Sequence, residues 1–171
     1  MIVITASSFA FIPILAKTYG ANNIQLSLLM TVNLGFTALG NLSVSRLTLK
    51  VKPVNLVYMG FILSVSSMLA AMLAENLYLL FLAQILAAFS TGINYPTLMG
   101  MSIQYVDNNE RSTAMSLNQL LYSGGAFIGP WIGGILAESI GIRPMFGIIG
   151  VACFIIAILL INRYKKIMSS T

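Results

Sequence analysis

Residues 110–137 read ERSTAMSLNQLLYSGGAFIGPWIGGILA. After Glu110 and Arg111 no charge follows until beyond Ala137. A helix over 112–137 spans about 39 Å, enough to cross the roughly 30 Å hydrocarbon core of a bilayer. Gly125, Gly129, Gly133 and Ala137 recur every four residues, and Gly124 and Gly134 add more small surface. Such a ridge lets a second helix backbone approach closely in lipid. Pro130 removes one backbone donor inside the ridge and predicts a kink. At helical spacing Asn118 and Tyr122 share the glycine face, while Gln119 and Ser123 lie on the adjacent one. The stretch reads as a membrane helix built for close packing, with polar groups beside the packing face.

The rest of the 171-residue chain has the same character. Hydrophobic residues make up 58% and charged residues 8%, with mean hydropathy +0.91. A soluble domain carries about 25% charged residues, and so few charges would not cover a water-exposed surface. The chain has no histidine. That excludes Ser-His-Asp and Cys-His catalysis, H-E-x-x-H zinc sites and a histidine pH switch. With no acid inside a span either, the composition argues against an intramembrane enzyme, and it calls for no cofactor or metal. The single cysteine, Cys153, lies in an apolar run and excludes an intramolecular disulfide.

Apolar runs predict six spans, at about 1–16, 24–44, 54–74, 78–103, 112–137 and 144–161, in one all-α transmembrane bundle with a cytoplasmic tail over 162–171. Every charged residue falls in a link, at a span edge or in the tail, as the cost of a mid-bilayer charge requires. Alternate links face opposite sides. Arg46, Lys50, Lys52, Arg111, Arg163, Lys165 and Lys166 share one side, against Lys17 and Arg143 on the other. The positive-inside rule makes the first side cytoplasmic, with both termini there. The first span is short: a helix ending before Lys17 reaches about 24 Å. It also lacks the charged start of a signal peptide. It reads as the back half of a longer helix, so the polypeptide is expected to begin inside a larger protein's helix or to be a truncated reading frame.

With no charge in mid-span, function falls to uncharged polar groups. Asn33, Thr37 and Asn41 stand at i, i+4 and i+8 in the second span. In the fourth, Gln84, Thr91, Tyr95 and Ser102 lie within roughly 40° of one another, forming one polar stripe. The fifth holds Asn118, Gln119, Tyr122 and Ser123. The third and sixth spans carry no Asn or Gln in their interiors and read as peripheral helices.

The run Glu110-Arg111-Ser112-Thr113-Ala114-Met115, followed by Gln119, Tyr122, Gly125 and then Gly129-Pro130-x-x-Gly133-Gly134, resembles the fifth helix of a six-helix half of a major facilitator superfamily transporter. In that family E-R-x-x-A-M-G-x-x-Q-x-x-Y leads into G-x-x-x-G-P-x-x-G-G; here Ser116 replaces the glycine after A-M. The loop Asn41–Lys50 resembles a worn copy of the family's G-x-x-x-D-R-x-G-R-R loop. Arg46 and Lys50 fit that loop motif, while Asn41, Ser45, Thr48 and Leu49 replace its glycine, aspartate, glycine and arginine. Such wear is commoner in the second half of these transporters. The resemblance covers the chain apart from the start of the first span.

The resemblance implies two six-helix halves with a substrate site between them near mid-membrane, worked by alternating access. It places the first, second, fourth and fifth helices of each half at the cavity. One half does not form both walls, so the chain is expected to be the C-terminal half of a transporter, or a half-size protein pairing with a second six-helix half. Gln84, Tyr95, Asn118, Gln119 and Tyr122 are the expected cavity residues, with Gln119 and Tyr122 nearest to substrate. Gly125, Gly129, Pro130 and Gly133 are the expected packing residues. The expected activity is transport of a small organic solute, with drug-like efflux favoured, in the cell membrane. The alternative is a membrane fragment from a truncated or split gene that acts as an interaction protein.

Overall fold

The computed structural model describes residues 2–168 as six helices: α1 (Ile2–Thr18), α2 (Asn23–Leu47), α3 (Pro53–Met72), α4 (Leu77–Ile103), α5 (Arg111–Ile140) and α6 (Ile142–Met168). Local sequence sets most boundaries. Asn22 caps α2, accepting from the Gln25 amide at 2.8 Å while Gln25 Oε1 accepts from the Asn22 amide at 2.9 Å. This reciprocal pair satisfies two donors that a helix start leaves open. Pro53 opens α3, where its missing N–H costs nothing. The Asn76 side chain accepts from the Leu79 amide at 3.0 Å and starts α4.

Two links differ from the sequence expectation. The break expected over 138–143 is a single residue, Gly141, whose φ of 93° is open to glycine and to few other residues. The tail expected from 162 is helical through Met168, since 162–168 contain neither glycine nor proline to stop α6. Residues 169–171 of that tail lie outside the described residues. Five helices, α2 to α6, are long and apolar enough to cross a membrane. The 17 residues of α1 span about 26 Å.

In lipid, helices gain little from burying apolar surface against each other, so small residues and hydrogen bonds must fix the bundle. Several helix pairs show this. Between α2 and α4, Gly40 and Gly92 meet back to back: a Cβ on Gly92 would lie 2.4 Å from the Thr37 carbonyl oxygen. Between α1 and α5, the ridge carries the contact. A Cβ on Gly129 would lie 3.0 Å from the Val3 carbonyl oxygen, and one on Gly133 2.7 Å from the Phe11 ring. The Ser7 hydroxyl donates to the Gly129 carbonyl at 3.1 Å. Ser7 and Phe11 thus match Gly129 and Gly133 in order, so α1 and α5 run parallel. α5 continues through Pro130, and α4 through Pro96, without losing helical form.

The α3–α4 pair is held by polar contacts. Ser67 donates to the Ala83 carbonyl at 2.8 Å, Ser90 to the Gly60 carbonyl at 2.7 Å, and Ser64 pairs with Ser90. The Asn94 side chain occupies the notch that Gly60 leaves, its amide 3.5 Å from the Ser90 hydroxyl. α6 covers α3 from outside, where Gly150 admits Met68 and Gly147 admits Met72. Ile12, Leu29, Met68, Leu80 and Phe146 are fully buried at the centre.

One end of the bundle is tied by a cation. Arg143 Nε donates to the Tyr19 hydroxyl at 2.9 Å, and that hydroxyl donates to the Ala74 carbonyl at 2.6 Å; the Arg143 guanidinium also reaches Ala74 itself. Tyr19 follows α1, Ala74 follows α3 and Arg143 begins α6, so three elements are joined on one face.

Candidate functional site

Polar side chains from four helices border two adjoining hollows. The larger, of about 400 Å³, lies among α1, α2, α4 and α5. Thr5, Asn33, Thr37, Thr91 and Tyr122 bring hydrogen-bonding groups to it. Ala6, Phe9, Ala10, Leu34, Ala126 and Pro130 supply the remainder of its wall. The smaller, of about 210 Å³, is bordered by Thr37, Asn41, Thr91, Tyr95 and Tyr122. Thr37, Thr91 and Tyr122 belong to both, so the hollows share one wall. None of these residues is charged, and none comes from α3 or α6.

The packing of the bundle puts these groups in place. The glycine crossing of α2 and α4 brings Thr37 beside α4, where its hydroxyl lies 3.4 Å from the Ala88 carbonyl. Thr91 donates back to the Ala87 carbonyl at 2.9 Å and meets Thr5 of α1 at 3.3 Å. From α4, Tyr95 projects toward α5. Its hydroxyl donates to Gln119 Oε1 at 3.1 Å, and its ring meets the Tyr122 ring edge-on, with centroids 5.2 Å apart and planes at 79°. Such a geometry is the favoured one for two aromatic quadrupoles. Among the described residues no hydrogen bond reaches the Asn41 amide or the Tyr122 hydroxyl. Asn41 is exposed and borders the smaller hollow, and Tyr122 borders both.

The residues singled out by sequence fall in several environments. Tyr95 and Tyr122 border hollows, and Gln119 is exposed beside them, held to Tyr95. Asn118 is half-buried and borders neither hollow. Gln84 also borders neither: it is fully buried, and neither amide atom has a partner among the described residues. It shares the azimuth of Thr91 and Tyr95 but sits about 10 Å from Thr91 along α4, toward the helix start. Gly129 and Gly133 are buried against α1, Gly125 is half-buried, and Pro130 borders the larger hollow. Arg46 is exposed in the last turn of α2, where a cation suits the helix dipole, and Lys50 is exposed in the following turn. Phe9 and Leu34 were not singled out, because an apolar residue in an apolar span carries no mark of facing a hollow. Thr37 and Asn41 did carry one, their spacing of four with Asn33.

The sequence matches the Major Facilitator Superfamily over residues 1–168. The chain belongs to the major facilitator superfamily. With its apolar helices, it is a multi-pass membrane protein of that superfamily. It is 26% identical over 155 residues to a protein of Helicobacter pylori (strain G27) named probable sugar efflux transporter, across 88% of this chain and 40% of that one. It is 28% identical over 118 residues to the quinolone resistance protein NorA of Staphylococcus aureus (strain Mu50 / ATCC 700699), across 67% of this chain and 30% of that protein. The chain thus spans about 40% of the length of the curated relatives it matches over most of its own length.

Proposed function

We propose that the chain forms one wall of a solute path, and that a second six-helix half, on the rest of a longer polypeptide or another copy, forms the opposite wall. Transport then proceeds by alternating access, with the two halves rocking about a site between them. One observation carries this reading: α1, α2, α4 and α5 gather uncharged hydrogen-bonding groups at shared hollows, while α3 and α6 contribute none. Unpaired polar groups facing hydrocarbon are penalised, so such a gathering favours a wet path over a lipid contact. The lack of charge at the hollows suits a neutral organic solute. A relative named for sugar efflux favours export as the direction. The test is exchange of radiolabelled neutral solutes across vesicles carrying the chain with its second half. Exchange above that of vesicles lacking the chain is the expected result; equal rates would favour an interaction protein without transport.

We further propose that the protein lies in the cell membrane with both termini cytoplasmic, because seven of its nine bases then lie inside. A chain carrying Cys153→Ser and Lys50→Cys should resist a membrane-impermeant thiol reagent added to intact cells. The same protein with Asn76→Cys instead should react. The reverse pattern would invert the topology.

A further inference from the structure

We propose that Gln84 sets the balance between two arrangements of the bundle. In the present one α1 covers its amide. In the second α1 stands off α4, and water reaches the amide through the larger hollow. This rests on the reading of the hollows as a solute path. Three observations lead to it.

The first is an unpaired amide. Gln84 is fully buried, and neither Oε1 nor Nε2 has a hydrogen-bond partner among the described residues. The amide offers two donors and a carbonyl acceptor. Leaving them unmatched away from water is costly, and lipid around the bundle supplies no partner. Asn94 differs, since its Nδ2 lies 3.5 Å from the Ser90 hydroxyl. If Gln84 only packed α4 into the bundle, an apolar side chain of its size would serve better. The amide therefore destabilises the arrangement that encloses it.

The second is what stands opposite. Gln84 precedes Thr91 by seven residues on α4, so the two share a face. The Thr91 hydroxyl meets that of Thr5 at 3.3 Å, so this face turns to α1. Tyr95 and Gln119, which bond, each stand eight residues inside the facing ends of α4 and α5, so these helices run antiparallel. α1 is parallel to α5 and hence antiparallel to α4. Ile12, seven residues beyond Thr5, is therefore level with Gln84. It is fully buried, and its side chain has no hydrogen-bonding group. Ser8 lies about 6 Å from that level along α1, and its hydroxyl is directed to the Met68 sulfur at 4.0 Å.

The third is how near the larger hollow comes. On α4 it is bordered by Thr91, and on α1 it continues past Thr5 to Ala10. Ala10 is about 7 Å beyond Thr5, and Gln84 about 10 Å beyond Thr91 in the same direction. About 3 Å of height thus separates the end of the hollow on α1 from the level of Gln84. A retreat of α1 from α4 at Ile12 lengthens the hollow to Gln84 and hydrates its amide. The amide gains hydrogen bonds in that arrangement alone, and such a difference is what shifts a population.

The experiment uses the full chain with its second half, in a Cys153→Ser background. Gln84→Met keeps an unbranched side chain without the amide. Gln84→Leu replaces it if that protein does not accumulate. Three quantities are read: the melting temperature in detergent, exchange of radiolabelled neutral solutes across vesicles, and the rate at which Ser8→Cys on α1 reacts with N-ethylmaleimide. Gln84→Met should raise the melting temperature by about 2 °C or more. It should slow exchange about fivefold or more, and labelling of Ser8→Cys by a similar factor, because the covered arrangement gains population. A lower melting temperature would show that the amide is paired and holds the fold. Unchanged exchange or unchanged labelling would show that its burial is not linked to opening. Any of these results overturns the proposal. The solute path fails separately: if the unsubstituted protein exchanges no solute above empty vesicles, that reading is overturned, while melting and Ser8→Cys labelling still decide the role of Gln84.

Discussion

Replacing Gly92 by leucine should prevent the chain from accumulating as folded protein, while Gly100→Leu on the same helix should leave its amount and melting temperature unchanged. The two glycines differ in what a Cβ would meet. At Gly92 it would lie 2.4 Å from the Thr37 carbonyl oxygen, 2.9 Å from Gly40 Cα and 3.0 Å from the Asn41 nitrogen. All three are backbone atoms of α2, and no rotamer change moves them. At Gly100 nothing lies within 4 Å. Overpacking usually costs about 1–3 kcal/mol where side chains can give way. Here the helices must part, so Gly92→Ala should cost about 2 kcal/mol and Gly92→Leu more than the fold can spare. Gly129→Leu should be milder, because its nearest obstacles stand at 3.0–3.1 Å, at the far side of ordinary overlap. Thermal unfolding in detergent with monodispersity on a sizing column measures the series. A Gly92→Ala protein as stable as Gly100→Leu would show that α2 and α4 do not cross at these glycines.

That crossing was not read from the sequence, although the ridge on α5 was, and the reason is physical. Gly125, Gly129 and Gly133 repeat at the spacing of one helix face, and a repeat is visible along one strand of text. Gly40 and Gly92 are single glycines, 52 positions apart, and their meaning arises only when two helices touch. The same limit holds for Asn94 and Gly60, a side chain and the notch that receives it. Span existence was legible because charge and length decide it. The end of α5 was not, because Glu138, Ser139 and Arg143 read as a polar link, whereas the helix carries on to Ile140 and only Gly141 breaks it.

The candidate site was legible as directions but not as depths. Residues spaced by four, seven or eleven lie within roughly 40° of one another around a helix, which aligned Gln84, Thr91 and Tyr95. Azimuth does not tell what stands opposite at each height. Thr91 and Tyr95 open onto hollows, whereas Gln84 is enclosed. Asn118 and Gln119 are adjacent amides, and Gln119 was expected nearer to substrate because the family motif has a glutamine there. In the structure they also differ in partner, because the Tyr95 hydroxyl reaches Gln119.

Tyr122→Ala should give the largest loss of transport among substitutions that leave the fold intact. Its ring borders both hollows and meets Tyr95 edge-on, yet its hydroxyl holds no other part of the protein among the described residues. Losing the aromatic pair alone is worth about 0.5–1.5 kcal/mol, and the missing ring also leaves a gap in the wall shared by the hollows. A fall in apparent solute affinity of about tenfold or more is expected, with a small change in melting temperature. Gln119→Ala should act in the same direction but less, by about two- to tenfold, since it removes one hydrogen bond from Tyr95. The route of that effect is testable. Tyr95→Phe removes the same bond from its other end, so the double variant Tyr95→Phe, Gln119→Ala should transport no worse than the weaker single. Additive losses would mean that Gln119 acts on solute directly and not by holding Tyr95. A third pattern would decide against both roles. If Gln119→Ala lowers the melting temperature while transport per folded molecule is untouched, the amide only joins α4 to α5, and the neutral groups around the hollows owe nothing to it.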